Sequence, residues 1–319
     1  MSSPGESPSS GGPAPGSDAS PAASAERSTF GYVAGVTAYG LWGLFPAYFG
    51  LVSAASTGEI LANRVIWAAV TMLVVLAVVG RLGDLRRFDR RTWVLVITAS
   101  ILIGINWFFY LYAVLSGNIV QAALGYFINP LVSVAMGLIF FGERLSRWQK
   151  AAVAIGVLAV GVLTVDYGHP PYLSLLLAGS FAAYGAVKKI VRADPRVTLT
   201  AESLVLSPLM IGIVIWLIAT GGLVFGSGLS ITVLLLLAGP VTAVPLLMFG
   251  IAAQRIPLVA LGLLQYLTPI GQFAWAVLVA GETVSGVEWI GFGLIWFALS
   301  IFTIGAIRST RAPRPAEPA

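Results

Sequence analysis

Arg64 is the only Lys or Arg of this chain inside a long apolar run, and it follows the acid Glu59 by five residues. A cation at that depth costs at least about 2.5 kcal/mol on insertion scales unless something accepts from it. Spacing of five puts Arg64 and Glu59 on different helix faces, so the acceptor comes from another segment or from a ligand. Two proline-centred clusters offer neutral polar groups. Gln121, Tyr126 and Asn129 lead up to Pro130, and Gln265, Tyr266 and Thr268 lead up to Pro269, with Gln272 just beyond. A proline inside a helix loses one hydrogen bond and crowds the carbonyl four residues back, here that of Tyr126 and of Gln265. Freed carbonyls beside amides and hydroxyls can hold the polar parts of a small molecule. The alternative is that the prolines only kink packed helices and the polar side chains bind neighbours together. Asn106, Trp107 and Tyr110, with Trp42, add an amide and aromatic faces suited to an apolar or planar body.

Covalent chemistry has little to work with. The chain has no Cys and one His, His169, in the short stretch Asp166-Tyr-Gly-His-Pro-Pro171. That excludes thiolate sites and leaves no constellation for a catalytic or metal centre, so no catalytic residue, metal or cofactor is expected. Glu59, Glu143, Asp166, Glu202, Glu282 and Glu288 all fall near the edges of apolar runs, not at their centres. Proton-coupled transporters often keep a carboxylate at the centre. Coupling to H+ would therefore use Glu59 or no dedicated carboxylate, and an exchanger or facilitator stays open.

The elements that must position these residues are transmembrane helices. Hydrophobic residues make up 58% of the 319 and charged residues only 10%, with a mean hydropathy of +0.91. That leaves too little polar surface for a soluble domain. Ten apolar spans are predicted at about 31–51, 60–80, 93–115, 119–141, 151–167, 172–187, 203–220, 231–250, 259–280 and 287–307. Helices are the default because a span must satisfy its own backbone hydrogen bonds in lipid. The fold class is thus all-α. The pI near 9.6 does not indicate nucleic acid, because the basic residues fall in alternate gaps. They occur as Arg27, then 81–91, 144–150, 188–196, 255 and 308–314, while the intervening gaps have none. The positive-inside rule then places both termini in the cytoplasm. Residues 1–29 contain no Val, Ile, Leu, Phe, Tyr or Trp and are predicted to be a disordered cytoplasmic tail; 308–319 is predicted to be a second cytoplasmic tail, Pro-rich and flexible from about Ser309 onward. Gly40, Gly43, Gly104, Gly125 and Gly137 read as sites of close helix approach.

The membrane region repeats. Thr57-Gly-Glu59 returns as Thr200-Ala-Glu202, and Tyr126-Phe-Ile-Asn-Pro130 as Tyr266-Leu-Thr-Pro269. Gly142-Glu143 and Gly281-Glu282 follow those prolines at the same distance. The halves are 30–167 and 168–307. Five spans per half make their topologies opposite, with Glu143 opening a basic gap and Glu282 a gap without Lys or Arg. That is an inverted repeat, a common framework for alternating access, and matched helix interruptions mark its substrate site.

These residues resemble the EamA-type branch of the drug/metabolite transporter superfamily, closest to its RarD group of chloramphenicol-sensitivity permeases. The resemblance is carried by Tyr39-Gly-Leu-Trp42-Gly43, Pro46-Ala-Tyr48-Phe49, Glu59-Ile-Leu, Arg64-Val-Ile-Trp67, Asn106-Trp107, Leu124-Gly-Tyr126-Phe-Ile-Asn129-Pro130-Leu, Gly142-Glu143-Arg144 and Gln265-Tyr266 with Pro269. It covers roughly residues 30 to 307 and implies ten helices in two five-helix repeats. It also implies a small-molecule permease of a bacterial inner membrane, with no cofactor. The expected partners are a small-molecule substrate and membrane lipid, with H+ and a second copy of the chain as further candidates. A flippase for lipids or polyprenyl carriers is the nearest rival, and an integral membrane enzyme a more distant one.

Overall fold

A computed structural model describes residues 21–141, 146–256 and 264–311. Its helices are α1 (Pro21–Gly43), α2 (Phe45–Leu51), α3 (Thr57–Val78), α4 (Arg90–Leu115), α5 (Ile119–Phe141), α6 (Arg147–Tyr167), α7 (Tyr172–Ile190), α8 (Pro195–Thr220), α9 (Leu229–Arg255), α10 (Leu267–Leu278) and α11 (Gly286–Arg311). A 3-10 turn runs over Leu82–Arg87. No strand occurs among the described residues, so the all-α expectation stands. Among the described residues, seven helices (α3, α4, α5, α6, α8, α9 and α11) are long and apolar enough to cross a membrane, and α7 and α10 supply shorter apolar stretches.

Local sequence explains where these helices start and stop. Ser56 accepts from the Glu59 amide at the head of α3. Asp89 accepts from the Thr92 amide at the head of α4. Ser146 and Gln149 form a capping box on α6. Asp194 caps α8 with Pro195 behind it. Each side-chain oxygen satisfies a backbone donor that the first turn leaves without a partner. Gly168 and Gly221 end α6 and α8 at φ of 68° and 70°, the left-handed conformation that a C-terminal stop requires.

Several boundaries differ from expectation; α8, for one, starts at Pro195 and not near 203, and the last helix runs on to Arg311, past the predicted 307. The first helix begins at Pro21, inside the stretch predicted to be unstructured; Ala22, Ala23, Ala25, Glu26 and Arg27 are good helix formers that extend a helix nucleated further on. A segment too polar for a core can still do that. The first apolar span breaks at Leu44, and Pro46 sits in the first turn of α2, where its missing N–H costs nothing. The ninth span shows a similar arrangement. Pro269 lies in the first turn of α10, not in mid-helix, and the Gln265 carbonyl that it was expected to free accepts from the Thr268 amide. Pro130, by contrast, is inside α5. Gly142, Glu143 and Arg144 lie outside the described residues, so the Glu143 arm of the repeat is untouched by the structure.

Helix α3 packs against α8 and α9, α4 against α7 and α8, α5 against α7 and α10, α1 against α9 and α10, and α6 against α11. Two glycines set the approaches that matter for the interior. A Cβ on Gly239 would lie 2.3 Å from the Trp67 carbonyl carbon, so α9 crosses α3 backbone to backbone. A Cβ on Gly125 would lie 2.8 Å from the Ser174 carbonyl oxygen, which seats α5 on α7. Of the glycines singled out from sequence, Gly43 and Gly104 also face neighbours, whereas Gly40 faces open space. Val165, Leu229, Val78 and Leu278 are at least 80% exposed, an outer surface that suits hydrocarbon better than water.

Contacts sort the connections into two ends. At one end Arg81 pairs with Asp194, and Arg255 stacks on Phe30. At the other, the Glu282 carboxylate accepts from the Ile119 and Val120 amides at 2.7 and 2.8 Å, and Tyr167 bonds Glu288. Basic connections thus meet basic ones, and connections without Lys or Arg meet each other.

Candidate functional site

Arg64, on the third turn of α3, is 3% exposed. Its Nε donates to Thr242 Oγ1 of α9 at 3.0 Å, a contact that the close crossing at Gly239 makes reachable. The guanidinium lies 4.2 Å from the Trp107 ring centroid and 5.3 and 5.5 Å from those of Phe45 and Phe49. A cation held against aromatic faces keeps part of its stabilisation without a counter-ion. No carboxylate forms an ion pair with it among the described residues. Its Nη1 is buried and donates to nothing.

Beside it stands a second unsatisfied group. The Tyr110 ring packs edge-on to Phe49 at 6.1 Å and to Tyr126 at 5.7 Å, and its hydroxyl is buried without a partner. Tyr126 donates to Asn106 Oδ1 at 3.2 Å. Asn106 Nδ2 donates in turn to the Leu177 carbonyl and to Ser180 Oγ, both at 3.0 Å. Helices α2, α3, α4, α5, α7 and α9 all contribute to this cluster. Buried polar groups are almost always partnered, so two orphans in one cluster mark a place where an acceptor is missing. An oxygen-bearing anion placed there would satisfy both, accepting from the guanidinium and from the phenol, with the rings of Trp107, Phe45 and Phe49 around the guanidinium.

The other sequence-predicted residues divide between structural contacts and a second locus. Trp42, Thr268 and Gln272 meet where α1 crosses α10: Thr268 Oγ1 donates to the Tyr39 carbonyl at 3.0 Å, and Gln272 Nε2 to the Trp42 carbonyl at 3.2 Å. Gln272 Oε1 is a third buried orphan. Asn129 donates to the Ala178 carbonyl at 3.1 Å and joins α5 to α7. Gln121 reaches Asn118 at 3.4 Å at the start of α5. Glu59 is fully buried and accepts from the Val224 and Phe225 amides at 2.7 to 3.1 Å, so its carboxylate fastens the connection after α8. Gln265 lies in the turn before α10, its carbonyl engaged. Tyr266 lines a groove of about 680 Å³ between α5, α10 and α11, with Phe127, Phe273, Trp296 and Thr303. That groove is apolar and carries no charge, so the polar site is assigned to the Arg64 cluster.

Sequence reasoning missed Thr242 and the aromatic role of Phe45, because neither carries a local signal. It also passed over Pro208, Pro240 and Pro245, which lie inside α8 and α9.

The model of the EamA-like transporter family matches residues 29–165. The chain is 43% identical to Protein RarD of Streptomyces exfoliatus over 288 residues, covering 89% of this chain and 91% of that protein. It is 37% identical to Protein RarD of Escherichia coli (strain K12) over 292 residues, covering 90% and 98%. A solved crystal structure superposes with a TM-score of 0.58 at 20% identity, covering 87% of this chain and 98% of that one, a likeness of fold.

Proposed function

The chain belongs to the EamA-like transporter family of the drug/metabolite transporter superfamily, and from that membership we propose that it is a secondary transporter moving a small, partly anionic molecule with an aromatic or apolar body by alternating access. The observation that carries this reading is the buried Arg64 guanidinium, stacked on Trp107 with one N–H unused, beside the unused Tyr110 hydroxyl.

Ten spans in two inverted halves are part of the proposal, and helix pairing supports it. Helix α3 packs on α8, α5 on α10 and α6 on α11, each a pairing of equivalent elements. Three further sets of contacts match: α1 with α9 and α7 with α4, α3 with α9 and α8 with α4, α1 with α10 and α7 with α5. Exchange of the halves leaves these larger pairings unchanged, while smaller ones, such as α3 with α4 and α5 with α6, have no comparable counterpart among the described residues. We place the protein in the bacterial inner membrane with both termini in the cytoplasm, on the retention of basic connections inside.

The second reading is a flippase for amphiphiles, favoured by the apolar groove between α5, α10 and α11. An acyl chain fits such a lining, but the groove offers no charged group for a headgroup, which leaves the transporter reading ahead. Purified protein in proteoliposomes separates the two. Saturable movement of organic anions in an uptake and efflux screen, with and without an imposed pH gradient, supports transport. Flipping of fluorescent lipid analogues with no movement of any solute supports the flippase.

A further inference from the structure

Glu202 is 2% exposed on the third turn of α8. Its Oε1 accepts from Lys188 Nζ at 2.6 Å and its Oε2 from the Tyr184 hydroxyl at 3.0 Å, both from α7. Lys188 Nζ also donates to Thr198 Oγ1 of α8 at 2.6 Å. Glu59, its counterpart in the repeat, is held by backbone amides, which do not titrate. Glu202 is held by a flexible ammonium and a phenol instead. Burial of such a pair costs desolvation that its attraction barely offsets, so its presence calls for a role beyond stability.

Two observations give it one. Lys188 is 23% exposed against 2% for Glu202, so the ammonium is the outlet of the site toward water at the basic end of the bundle. Inward, rings form an unbroken series: Tyr184 to Phe181 at 6.0 Å, Phe181 to Tyr126 at 6.1 Å and Tyr126 to Tyr110 at 5.7 Å. The carboxylate is thereby packed through to the Arg64 cluster.

We infer that Glu202 is a proton-binding site, loaded from the Lys/Arg-rich end past Lys188, and, resting on the transporter reading, that its proton drives substrate movement. In the step, a proton from water adds to a Glu202 carboxylate oxygen and gives the neutral acid. Protonation removes one negative charge from the site and with it the anionic acceptor of the Lys188 ammonium. The ammonium then has no counter-ion in the interior and swings toward water, which releases the tie between α7 and α8. Lys188 and Tyr184 from α7 are the titratable groups acting on Glu202. The 3-10 turn packed on α8 carries Asp84, Arg86 and Arg87, and Arg81 precedes it, but Arg81 reaches Asp194 and Asp84 reaches Arg81 and Arg87. Helices α3 and α4, also packed on α8, bring no charged group to Glu202 among the described residues.

Infrared difference titration of the full chain in lipid nanodiscs, without substrate, reads the site directly. A protonated-carboxyl band should appear as pH is lowered, vanish in Glu202→Gln, and move to higher pH in Lys188→Gln, where the cation that holds the carboxylate ionised is gone. Absence of a titrating band in the wild type, or its persistence in Glu202→Gln, overturns the inference and makes the pair a structural tie. In proteoliposomes, Glu202→Gln should lose accumulation driven by a pH gradient while keeping substrate counterflow; equal gradient-driven accumulation in variant and wild type overturns the coupling. A wild type that transports no solute in the screen fails the transporter reading, while the titration still decides the proton site.

Discussion

Arg64 and Thr242, 178 residues apart and in opposite halves of the chain, are joined by a 3.0 Å hydrogen bond that leaves the outer part of the guanidinium facing an aromatic cluster. The bond fixes the plane of the guanidinium without neutralising it. On the proposed transport reading, a buried cation oriented by a hydroxyl is prepared for an anion that arrives and leaves, whereas a carboxylate partner would compete with it.

Arg64→Gln should insert and fold but bind substrate about 10- to 100-fold more weakly, the size of one charge-assisted hydrogen bond of roughly 1.5–3 kcal/mol. Arg64→Lys should keep part of the affinity, retaining charge but losing the planar stack on Trp107. Normal binding and transport by Arg64→Gln across the whole screen would make the residue structural.

The prolines should separate. Pro130→Ala restores an N–H inside α5 and should straighten that helix, impairing transport while leaving insertion intact. Pro269→Ala, in the first turn of α10 where no bond was lost, should change transport little. Equal impairment by both variants would show that α10 continues through its start in the working protein.

Asp194 has a distinct pH signature. The Arg196 guanidinium bonded to it holds its carboxyl down at about 2, below the usual 3.8, with Arg81 adding to the effect. A lowered folded-state value stabilises above the unfolded one, so this contribution is full above about 3.8 and lost as pH falls toward about 2. Asp194→Asn should lower the thermal midpoint by a constant amount through the neutral range, equivalent to roughly 0.2–1 kcal/mol for a partly exposed pair. A loss that varies with pH near neutrality would assign the dependence to another group.

Sidedness is open to direct labelling, since the chain has no cysteine. Single cysteines replacing Leu85 or Ala193 should react with an impermeant maleimide only from the cytoplasm, and those replacing Ser56 or Ser227 only from outside. Labelling of Leu85 and Glu282 positions from the same side would remove the inverted repeat.

The sequence by itself determined the membrane class, the helices and many of their ends. Apolar length, the placement of basic residues and the caps at Ser56, Ser146 and Asp194 are local quantities, set by lipid solvation and by backbone donors that find partners within one turn. It also singled out Arg64, because a charge in an apolar run is costly wherever the run is placed. Only the tertiary structure decided what each polar residue faces. Glu59 and Glu202 occupy equivalent places in sequence, yet one is fastened by the Val224 and Phe225 amides and the other by Lys188 and Tyr184. Thr242 reaches Arg64 because Gly239 lets α9 approach the backbone at Trp67. Such partners depend on helix crossings between segments far apart in the chain, and crossing distance is a property of two surfaces together, which neither segment specifies alone.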